Sequence, residues 1–234
     1  MNLSVIIPTL NEESFIGRTL DLLLTPENIK NKIELIVVDG GSKDKTIEIA
    51  KQFPVKVIES PQAGRAVQMN LGAEHATGDY LYFVHADTKV LPGFFEDLRD
   101  VKNKGVKAAC YRFKFDKDSR ALRFNAYFTR FNRMFCRGGD QTLFMCRDLF
   151  QDLGGFDTSY VIMEDFDMVR RIKKKTRFHI IPKSVTVSAR KYEHNSYFRV
   201  NRANLIAYWM FMLGYPSERI KNHYHNAIRH PKDT

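Results

Sequence analysis

Residues 79–88, with the sequence Asp-Tyr-Leu-Tyr-Phe-Val-His-Ala-Asp-Thr, form an apolar run that stops on a polar cluster containing Asp87. A short continuous apolar run of this kind predicts a strand that is buried on both faces. A second run, at residues 33–38, ends on Asp39 and is followed by two glycines. Each run therefore places an aspartate at the carboxyl end of a strand, the edge at which open parallel α/β sheets bind ligands.

The segments around these runs alternate between strand and helix patterns. Strands are predicted at residues 3–9, 33–39, 55–59 and 80–84, and helices at residues 12–24, 42–53 (capped by Ser42) and 63–76. Such alternation predicts a parallel sheet with right-handed crossovers. Further on, the pattern predicts a helix to about residue 104, a strand at 107–115, a helix at 119–135, a further segment at 142–146 and a helix at 166–174.

The charge balance is basic. Lys and Arg number 37 against 27 Asp and Glu, a net charge of +10. This excess favours anionic partners such as nucleotide phosphates, phospholipid headgroups or nucleic acid, although a solvated basic surface accounts for it equally well. Basic residues are dispersed except at 170–177, and no recognised nucleic-acid module occurs, so we expect no nucleic-acid partner. The run at 170–177 is either a solvated helix face or a contact to an anionic membrane or a phosphate-bearing acceptor.

Cysteine usage and hydropathy predict a cytoplasmic protein. Cys110, Cys136 and Cys146 match neither a zinc pattern nor a disulfide framework, so they are expected to be reduced thiols. The N-terminus lacks the basic region of a signal peptide. The longest apolar stretch, 205–213, is far shorter than the roughly 20 residues that span a bilayer. These features also allow the protein to bind peripherally to the inner face of the membrane.

Short motifs occur in an order that resembles the family-2 glycosyltransferases of GT-A fold. They are residues 4–12 (Ser-Val-Ile-Ile-Pro-Thr-Leu-Asn-Glu), 37–42 (Val-Val-Asp-Gly-Gly-Ser), 85–87 (His-Ala-Asp), 154–157 (Gly-Gly-Phe-Asp) and 164–165 (Glu-Asp). The resemblance covers about residues 3–190. It is greatest to a bacterial branch with Gly-Arg-Ala-x-Gln-Met-Asn, here residues 64–70, and His-Ala-Asp-Thr in place of the usual Asp-x-Asp.

This resemblance implies a fold, a reaction and a domain organisation. The implied fold is a Rossmann-like, mostly parallel α/β sheet flanked by helices, with a helical C-terminal tail. The implied reaction is inverting transfer of a sugar from a nucleoside-diphosphate sugar to an unidentified acceptor. We expect a glycosyltransferase domain at residues 1–190, with a nucleotide-binding half (1–91) and an acceptor half (92–190), and a helical tail at 191–234.

The expected nucleotide-sugar site lies at the carboxyl ends of the first strands. In the family the matching aspartate, here Asp39, contacts the base; alternatively it caps the next helix. Arg65 is placed to bind phosphate oxygens, unless it is an ordinary surface arginine. The loop containing Glu12 surrounds the nucleotide in the family, but it also fits a turn that places an acid at a helix N-terminus. The full predicted set is Pro8, Thr9, Glu12, Asp39, Gly64, Arg65, Asn70, His85, Ala86 and Asp87.

Asp87 is the predicted metal ligand. A carboxylate at the end of a buried strand suits Mn²⁺ or Mg²⁺, with the substrate phosphates and waters as the other ligands. His85 replaces the first acid of the family pattern, and an imidazole favours Mn²⁺ if it ligates. Alternatively His85 hydrogen-bonds the ribose or the diphosphate. His194 is either a late metal ligand or a surface histidine, and Arg190 and Lys191 are candidates for diphosphate contact.

By the resemblance, Asp165 is the general base that takes the proton of the acceptor hydroxyl. Gly155, Phe156 and Glu164 are expected at the acceptor site, where the aromatic ring would lie near the sugar or the acceptor. Gly138, Gly139 and Asp140 are expected to shape the pocket floor. The other interpretation of Glu164 and Asp165 is a helix cap, with Asp167 as a third acid.

The apolar stretch at 205–213 allows three kinds of packing. The stretch is apolar nearly all round a helix, so it packs under the domain, pairs with a second copy in a homo-oligomer, or dips into a membrane interface.

One of two rival functions is that of a nucleotidyltransferase, which usually has a glycine-rich basic loop after the first strand; here residues 9–13 are acidic and lack glycine. The other is an inactive nucleotide-sugar-binding scaffold, which the replacement by His85 would allow.

Overall fold

A seven-stranded sheet runs through the computed structural model, which describes residues 1–137 and 141–229. The strands are β1 (Leu3–Thr9), β2 (Glu34–Asp39), β3 (Lys56–Glu59), β4 (Tyr80–Phe83), β5 (Ala108–Phe115), β6 (Leu143–Cys146) and β7 (Phe178–Val187). Their order in the sheet is β3-β2-β1-β4-β6-β5-β7. β6 is antiparallel to both of its neighbours, and the other pairs are parallel. The predicted mostly parallel sheet is therefore confirmed.

Helices connect the strands and cover both faces of the sheet. They are α1 (Ile16–Leu23), α2 (Pro26–Lys30), α3 (Thr46–Ala50), α4 (Arg65–His75), α5 (Phe94–Asn103), α6 (Arg120–Tyr127), α7 (Arg147–Asp152), α8 (Glu164–Lys175), α9 (Tyr197–Met212) and α10 (Ser217–Ala227). Short 3-10 helices lie at Phe128–Arg130, Met134–Cys136 and Arg190–Tyr192. The sequence patterns did not predict α2 and α7.

The predicted helix at 119–135 is wrong in its second half, where α6 ends at Tyr127. The buried side chain of Arg137 takes the carbonyls of Thr129 and Phe131, at 2.6 and 2.7 Å from its Nη2 atom. Those carbonyls are consequently not free to continue the helical ladder. The chain turns through short 3-10 helices instead.

β1, β2 and β4 are largely apolar because both faces of the sheet are covered at these strands. Alternate residues of β1 face opposite sides. Val5 and Ile7 belong to a core that includes α1, whereas Ile6 belongs to a second core that includes α4. This explains why the runs that predicted the strands lack polar alternation.

Gly72 marks the place where α4 crosses the sheet. A Cβ atom there would overlap the Cγ2 methyl of Ile6 and would lie 3.1 Å from Cγ2 of Val38. Alanine favours an exposed helix over glycine by about 1 kcal/mol. We nevertheless expect Gly72→Ala to lower the free energy of unfolding by about 1–3 kcal/mol, because over-packing displaces the helix from the sheet. Urea denaturation measures the change.

The matched control is Gly17→Ala in α1. A Cβ atom at that position meets Ile49 Cγ2 at 3.3 Å, a contact that a small side-chain shift relieves. The free energy of unfolding should change little there. Equal losses in the two variants would contradict the packing argument.

One side of α9 packs against α8, α10 and Tyr192. Val200, Ala203, Ala207 and Phe211 of α9 are buried, and Phe211 contacts Phe166 of α8. The opposite side of α9 leaves large apolar side chains in solvent, namely Phe198, Leu205, Trp209, Met212 and Leu213. Packing under the domain thus accounts for only half of the apolar surface of this helix. None of the helices in the described ranges is long and apolar enough to cross a membrane.

Candidate active site

The predicted nucleotide-binding residues meet at one edge of the sheet. Thr9 and Asp39 are paired in register at the ends of β1 and β2. Pairing of β1 with β4 stops at Ile6, so Pro8 lies where its missing N–H costs no ladder hydrogen bond. His85, Ala86 and Asp87 follow the end of β4 at the same edge. Asp39 and Asp87 therefore lie at the same edge of the sheet, as the strand pattern predicts.

Asp39 is fully buried, and its carboxylate holds the following loop. Oδ2 accepts the backbone N–H groups of Gly41 and Ser42 at 2.8 and 2.7 Å. Oδ1 accepts the hydroxyls of Ser42 and Thr9. Ser42 is therefore not a helix cap as predicted: α3 begins at Thr46, and the Ser42 hydroxyl is used by Asp39. Contact of Asp39 with a nucleotide base stays a prediction.

Gln68 is a site residue that the sequence analysis missed. Its buried amide donates to the backbone carbonyls of Thr9 and Val38, at 2.7 and 2.8 Å. A Cβ atom at Gly40 would lie 3.0 Å from this amide, so the glycine permits the close approach. Gln68 lies in the same short motif as Arg65 and Asn70, and this is the sequence signal that identifies it.

Arg190 joins the ends of two strands through ion pairs. Its Nη1 and Nη2 atoms each lie 2.9 Å from a carboxylate oxygen of Glu12, a bidentate arrangement. Nη2 also lies 3.1 Å from Oδ2 of Asp87. The guanidinium stacks over the ring of Phe15, 4.9 Å from its centroid. One arginine from the segment after β7 thus links the loop after β1 to the predicted metal ligand.

Arg65 and Glu164 form a second ion pair, between the N-termini of α4 and α8. Nε of Arg65 lies 2.7 Å from Oε1 of Glu164, and the glutamate is almost completely buried. Gly64 precedes α4 with a φ of +144°, a backbone conformation that glycine adopts readily. The predicted phosphate ligand and the predicted acceptor residue are consequently in direct contact.

Asp165 lies beside Glu164 in the first turn of α8 and is partly exposed. The residue before the helix, Met163, has a left-handed backbone with φ +69° and supplies no side-chain cap. Asp165 also lines a small, partly open cavity of about 20 Å³, close to the space of one water molecule. A helix N-terminus favours the negative charge of a carboxylate in this position.

Asp167 is buried and binds two arginines of its own helix. Its oxygens lie 2.8 Å from Nη2 of Arg170 and 2.6 Å from Nε of Arg171. Nη1 of Arg171 then donates to the carbonyls of Leu153 and Gly155. Two residues of the basic run at 170–177 are therefore structural, and the view of that run as a solvated face is wrong for them.

The Gly-Gly-Phe-Asp loop is held by Asn70. The amide of Asn70 donates to the Phe156 carbonyl and accepts the Phe156 N–H, both at 2.8 Å. Gly155 has φ +72°, and a Cβ atom there would lie 2.8 Å from Asn70 Oδ1. The observed hydrogen bonds of Asn70 thus position this loop, whereas the sequence analysis placed the residue against the nucleotide sugar.

The expected role of the Phe156 ring at the acceptor site is wrong in this structure. The ring is 2% exposed and packs edge-on against Phe83, with centroids 5.1 Å apart. An aromatic side chain after two glycines fits a core position as well as a binding position, and burial decides between them. Asp157 next to it is exposed, and hydrogen bonds from Ser159 lower the pKa of its carboxyl.

The other predicted residues differ in burial, and three of them lie outside the described ranges. Ala86 is buried, and its carbonyl accepts the Thr19 hydroxyl. His85 is partly exposed, and its carbonyl closes a turn with the N–H of Thr88. His194 is exposed on the surface. Gly138, Gly139 and Asp140 lie outside the described residues, so their expected role stays a prediction.

The donors at this edge fit a metal ion that completes its coordination from the substrate. Across residues 1–137 and 141–229 there is no group of three or more His, Cys, Asp or Glu side chains arranged to hold a metal. Mg²⁺ and Mn²⁺ sites with one or two protein ligands, waters and phosphate oxygens need no such group. Asp87 has 22% of its side chain exposed at the strand end and is paired with Arg190, a contact that a bound metal ion would replace.

Comparison with known proteins agrees with this geometry. The family model "Glycosyl transferase family 2" matches residues 4–150. The uncharacterized glycosyltransferase YibD of Escherichia coli is 37% identical over 101 residues, which are 41% of this chain and 29% of YibD. The match thus spans less than a third of that relative.

Solved structures share the fold over nearly the whole chain. TarS 1–349 of Staphylococcus aureus, in complex with UDP-GlcNAc, has a TM-score of 0.66 and 16% identity over 97% of this chain and 71% of that one. The mannosyltransferase PcManGT of Pyrobaculum calidifontis, in complex with GDP-Man and Mn²⁺, has a TM-score of 0.66 and 21% identity over 96% and 68%. At these identities the likeness establishes the GT-A fold. Since the family model covers more than half of its length, the chain belongs to glycosyl transferase family 2.

Proposed function

We propose that this chain catalyses metal-assisted, inverting transfer of a sugar from a nucleoside-diphosphate sugar to an acceptor hydroxyl. The observation that carries the proposal is the position of Asp87, a partly exposed carboxylate at the carboxyl end of β4, next to the cation of Arg190. Carboxylate and guanidinium together suit a divalent metal and a diphosphate. The donors named for TarS and PcManGT, UDP-GlcNAc and GDP-Man, support a nucleotide sugar.

Each residue then has a defined task in the transfer. Asp87, with His85 beside it, would hold Mn²⁺ or Mg²⁺ against the diphosphate. When bound, the ion supplies positive charge that stabilises the departing diphosphate. Arg65 and Arg190 would add hydrogen-bond donors to the phosphate oxygens, and for this Arg190 must give up its contact with Asp87.

The chemical step needs one base. The acceptor oxygen attacks the anomeric carbon while the bond from that carbon to the diphosphate oxygen breaks, and the leaving diphosphate keeps the electron pair. Asp165 takes the proton of the acceptor hydroxyl as the new bond forms. Attack from the side opposite to the leaving group inverts the configuration at the anomeric carbon.

The loop after β1 speaks against the nucleotidyltransferase alternative. The Asn11 carboxamide accepts the N–H of Lys43 at 2.8 Å, and the Glu13 carboxylate accepts the N–H of Lys45 at 3.0 Å. These side chains hold the neighbouring loop, and the segment presents carboxylates where a phosphate loop would present glycine amides. The scaffold alternative predicts that the chain binds the donor but neither hydrolyses it nor transfers its sugar. An activity assay therefore distinguishes a scaffold from the proposed transferase.

Thermal unfolding with UDP, GDP, CDP, ADP and dTDP, each with and without Mn²⁺, tests the proposal. A ligand at 100 times its dissociation constant adds about 2.7 kcal/mol, which raises Tm by several degrees in a protein of this size. We expect one diphosphate to raise Tm in the presence of Mn²⁺, and Asp87→Ala to remove the part of the shift that depends on Mn²⁺.

The control is Asp79→Ala, which removes an exposed carboxylate just before the start of the same strand, at the opposite edge of the sheet. This variant should keep the full shift. If the diphosphate raises Tm without Mn²⁺ and also in Asp87→Ala, the arginines rather than a metal ion neutralise the diphosphate. The absence of any shift would overturn the proposed donor.

A further inference from the structure

Two neighbouring elements at the catalytic edge expose aromatic and basic side chains together. One is the segment 120–135, formed by α6 and the 3-10 helices after it; the other is the outer side of α9. We define the aromatic–basic face by its exposed members: Arg120, Arg123, Phe124, Tyr127, Arg130, Phe131, Arg133, Phe135, Phe198, Arg199, Arg202, Leu205, Trp209, Met212 and Leu213.

Several large apolar side chains of this face are mostly exposed to solvent. Phe198 is 83% exposed, Leu213 71%, Phe135 63% and Phe124 62%. The aromatic rings of the first segment form their own cluster, with Arg130 stacked 3.6 Å above the ring of Tyr127. Contiguous exposed apolar surface of this kind marks an interaction site.

The two elements are adjacent and lie at the edge that carries Asp87. The amide of Asn125 in α6 donates to Asn201 of α9 at 3.2 Å and to the hydroxyl of Tyr192 at 3.3 Å. α6 follows the carboxyl end of β5, and α9 follows the carboxyl end of β7. Both strands run parallel to β4, so their ends lie at the same edge of the sheet.

The charge of the face selects its partner. The sequence contains no Asp or Glu at residues 119–137 or at residues 194–217. In the described part of the chain, Asp118, which lies just outside these stretches, pairs with Arg123 at 3.5 Å. Both side chains of this pair are highly exposed. A second copy of the chain would oppose arginines to arginines across a two-fold axis, which disfavours a homo-oligomer through this face. Nucleic acid would pair with the arginines but would leave the aliphatic residues of α9 in water.

We propose that the aromatic–basic face docks on an anionic lipid bilayer. Arginines contact lipid phosphates, while Trp, Phe and Leu side chains enter the headgroup region, which is the arrangement of interfacial helices that lie on a membrane. Binding by this face does not depend on the proposed transfer. If the chain also transfers sugar as proposed, docking turns the catalytic edge toward acceptors that are held at the membrane surface.

Co-sedimentation of the full chain with vesicles tests the proposal. Vesicles of phosphatidylcholine mixed with the anionic lipid phosphatidylglycerol are compared with vesicles of phosphatidylcholine alone. We expect partitioning to the anionic vesicles that weakens as salt is raised. Each basic residue near the surface contributes about fivefold, so Arg133→Glu with Arg202→Glu should weaken binding by about 25-fold or more. Trp209→Ser with Leu213→Ser should also weaken it, by removing apolar contacts.

Matched controls come from α2, which enters β2 at the opposite edge of the sheet. Ile29→Ser removes an exposed apolar side chain there, and Lys30→Glu reverses an exposed charge; both should bind like the wild type. Thermal unfolding confirms that every variant stays folded. Equal binding to neutral and anionic vesicles, equal losses in the control variants, or no binding would overturn the proposal. So would a dimer in sedimentation that Trp209→Ser with Leu213→Ser dissolves, or tighter binding to RNA than to vesicles.

Discussion

Asp165→Asn is expected to lower kcat by about 100- to 10,000-fold and to leave the dissociation constant of the nucleoside diphosphate nearly unchanged. The carboxylate lies in the first turn of α8, next to Glu164, which is in contact with the predicted phosphate ligand Arg65. An amide keeps the size and hydrogen-bonding shape of the side chain but does not accept a proton at neutral pH. The loss should therefore fall on the chemical step and spare donor binding.

Single-turnover kinetics and a calorimetric titration with the nucleoside diphosphate separate the two effects. Asp152→Asn is the matched control, because it makes the same change at an exposed acid at the end of α7. That variant should retain wild-type kcat. If Asp165→Asn weakens nucleotide binding as much as it slows transfer, Asp165 belongs to donor recognition and is not the base.

Arg65→Ala is expected to lower the free energy of unfolding by about 3 kcal/mol. This is the lower end of the range for breaking a buried ion pair, because the Arg65 side chain is 43% exposed whereas that of Glu164 is 1% exposed. Removal of the arginine leaves a buried carboxylate without the cation that lies 2.7 Å away. The same variant should also weaken binding of the nucleoside diphosphate, since the guanidinium is a proposed phosphate ligand.

Urea denaturation of a double-mutant cycle isolates the pair. Arg65→Ala with Glu164→Gln should recover part of the lost stability, because the uncompensated charge is gone. Arg123→Ala provides the comparison with an exposed pair, in which Arg123 and Asp118 lie 3.5 Å apart. This variant should lower the free energy of unfolding by less than about 1 kcal/mol. A loss in Arg65→Ala no larger than in Arg123→Ala would show that Glu164 does not depend on its partner.

Local patterns predicted most strands of the sheet and the edge at which Asp39 and Asp87 lie. The run that ends on Asp87 and the run that ends on Asp39 are strands because both faces of the sheet are covered, so an uninterrupted apolar run was a reliable signal. The helix patterns also placed Arg65 and Asp165 near helix N-termini, where the structure has them. These features depend on neighbours close in sequence.

Contacts between distant parts of the chain were not predictable in the same way. Arg190 and Glu12 are separated by 178 positions, and nothing local to either residue indicates that they pair. Likewise, Arg137 interrupts a helical pattern by taking carbonyls from the preceding turn. Phe156 could face the core or a ligand until the packing of Phe83 decided the matter.

α4 mechanically couples the two halves of the site. Arg65 at its start contacts Glu164, Gln68 binds the ends of β1 and β2, and Asn70 holds the Phe156 loop. With a rise of about 1.5 Å per residue, these anchors lie within about 8 Å along one helix. An insertion between them would rotate the later anchors by about 100° and detach the loop. Replacing the Gly-Gly-Phe-Asp loop by that of a homologue should consequently require α4 to be exchanged together with the loop.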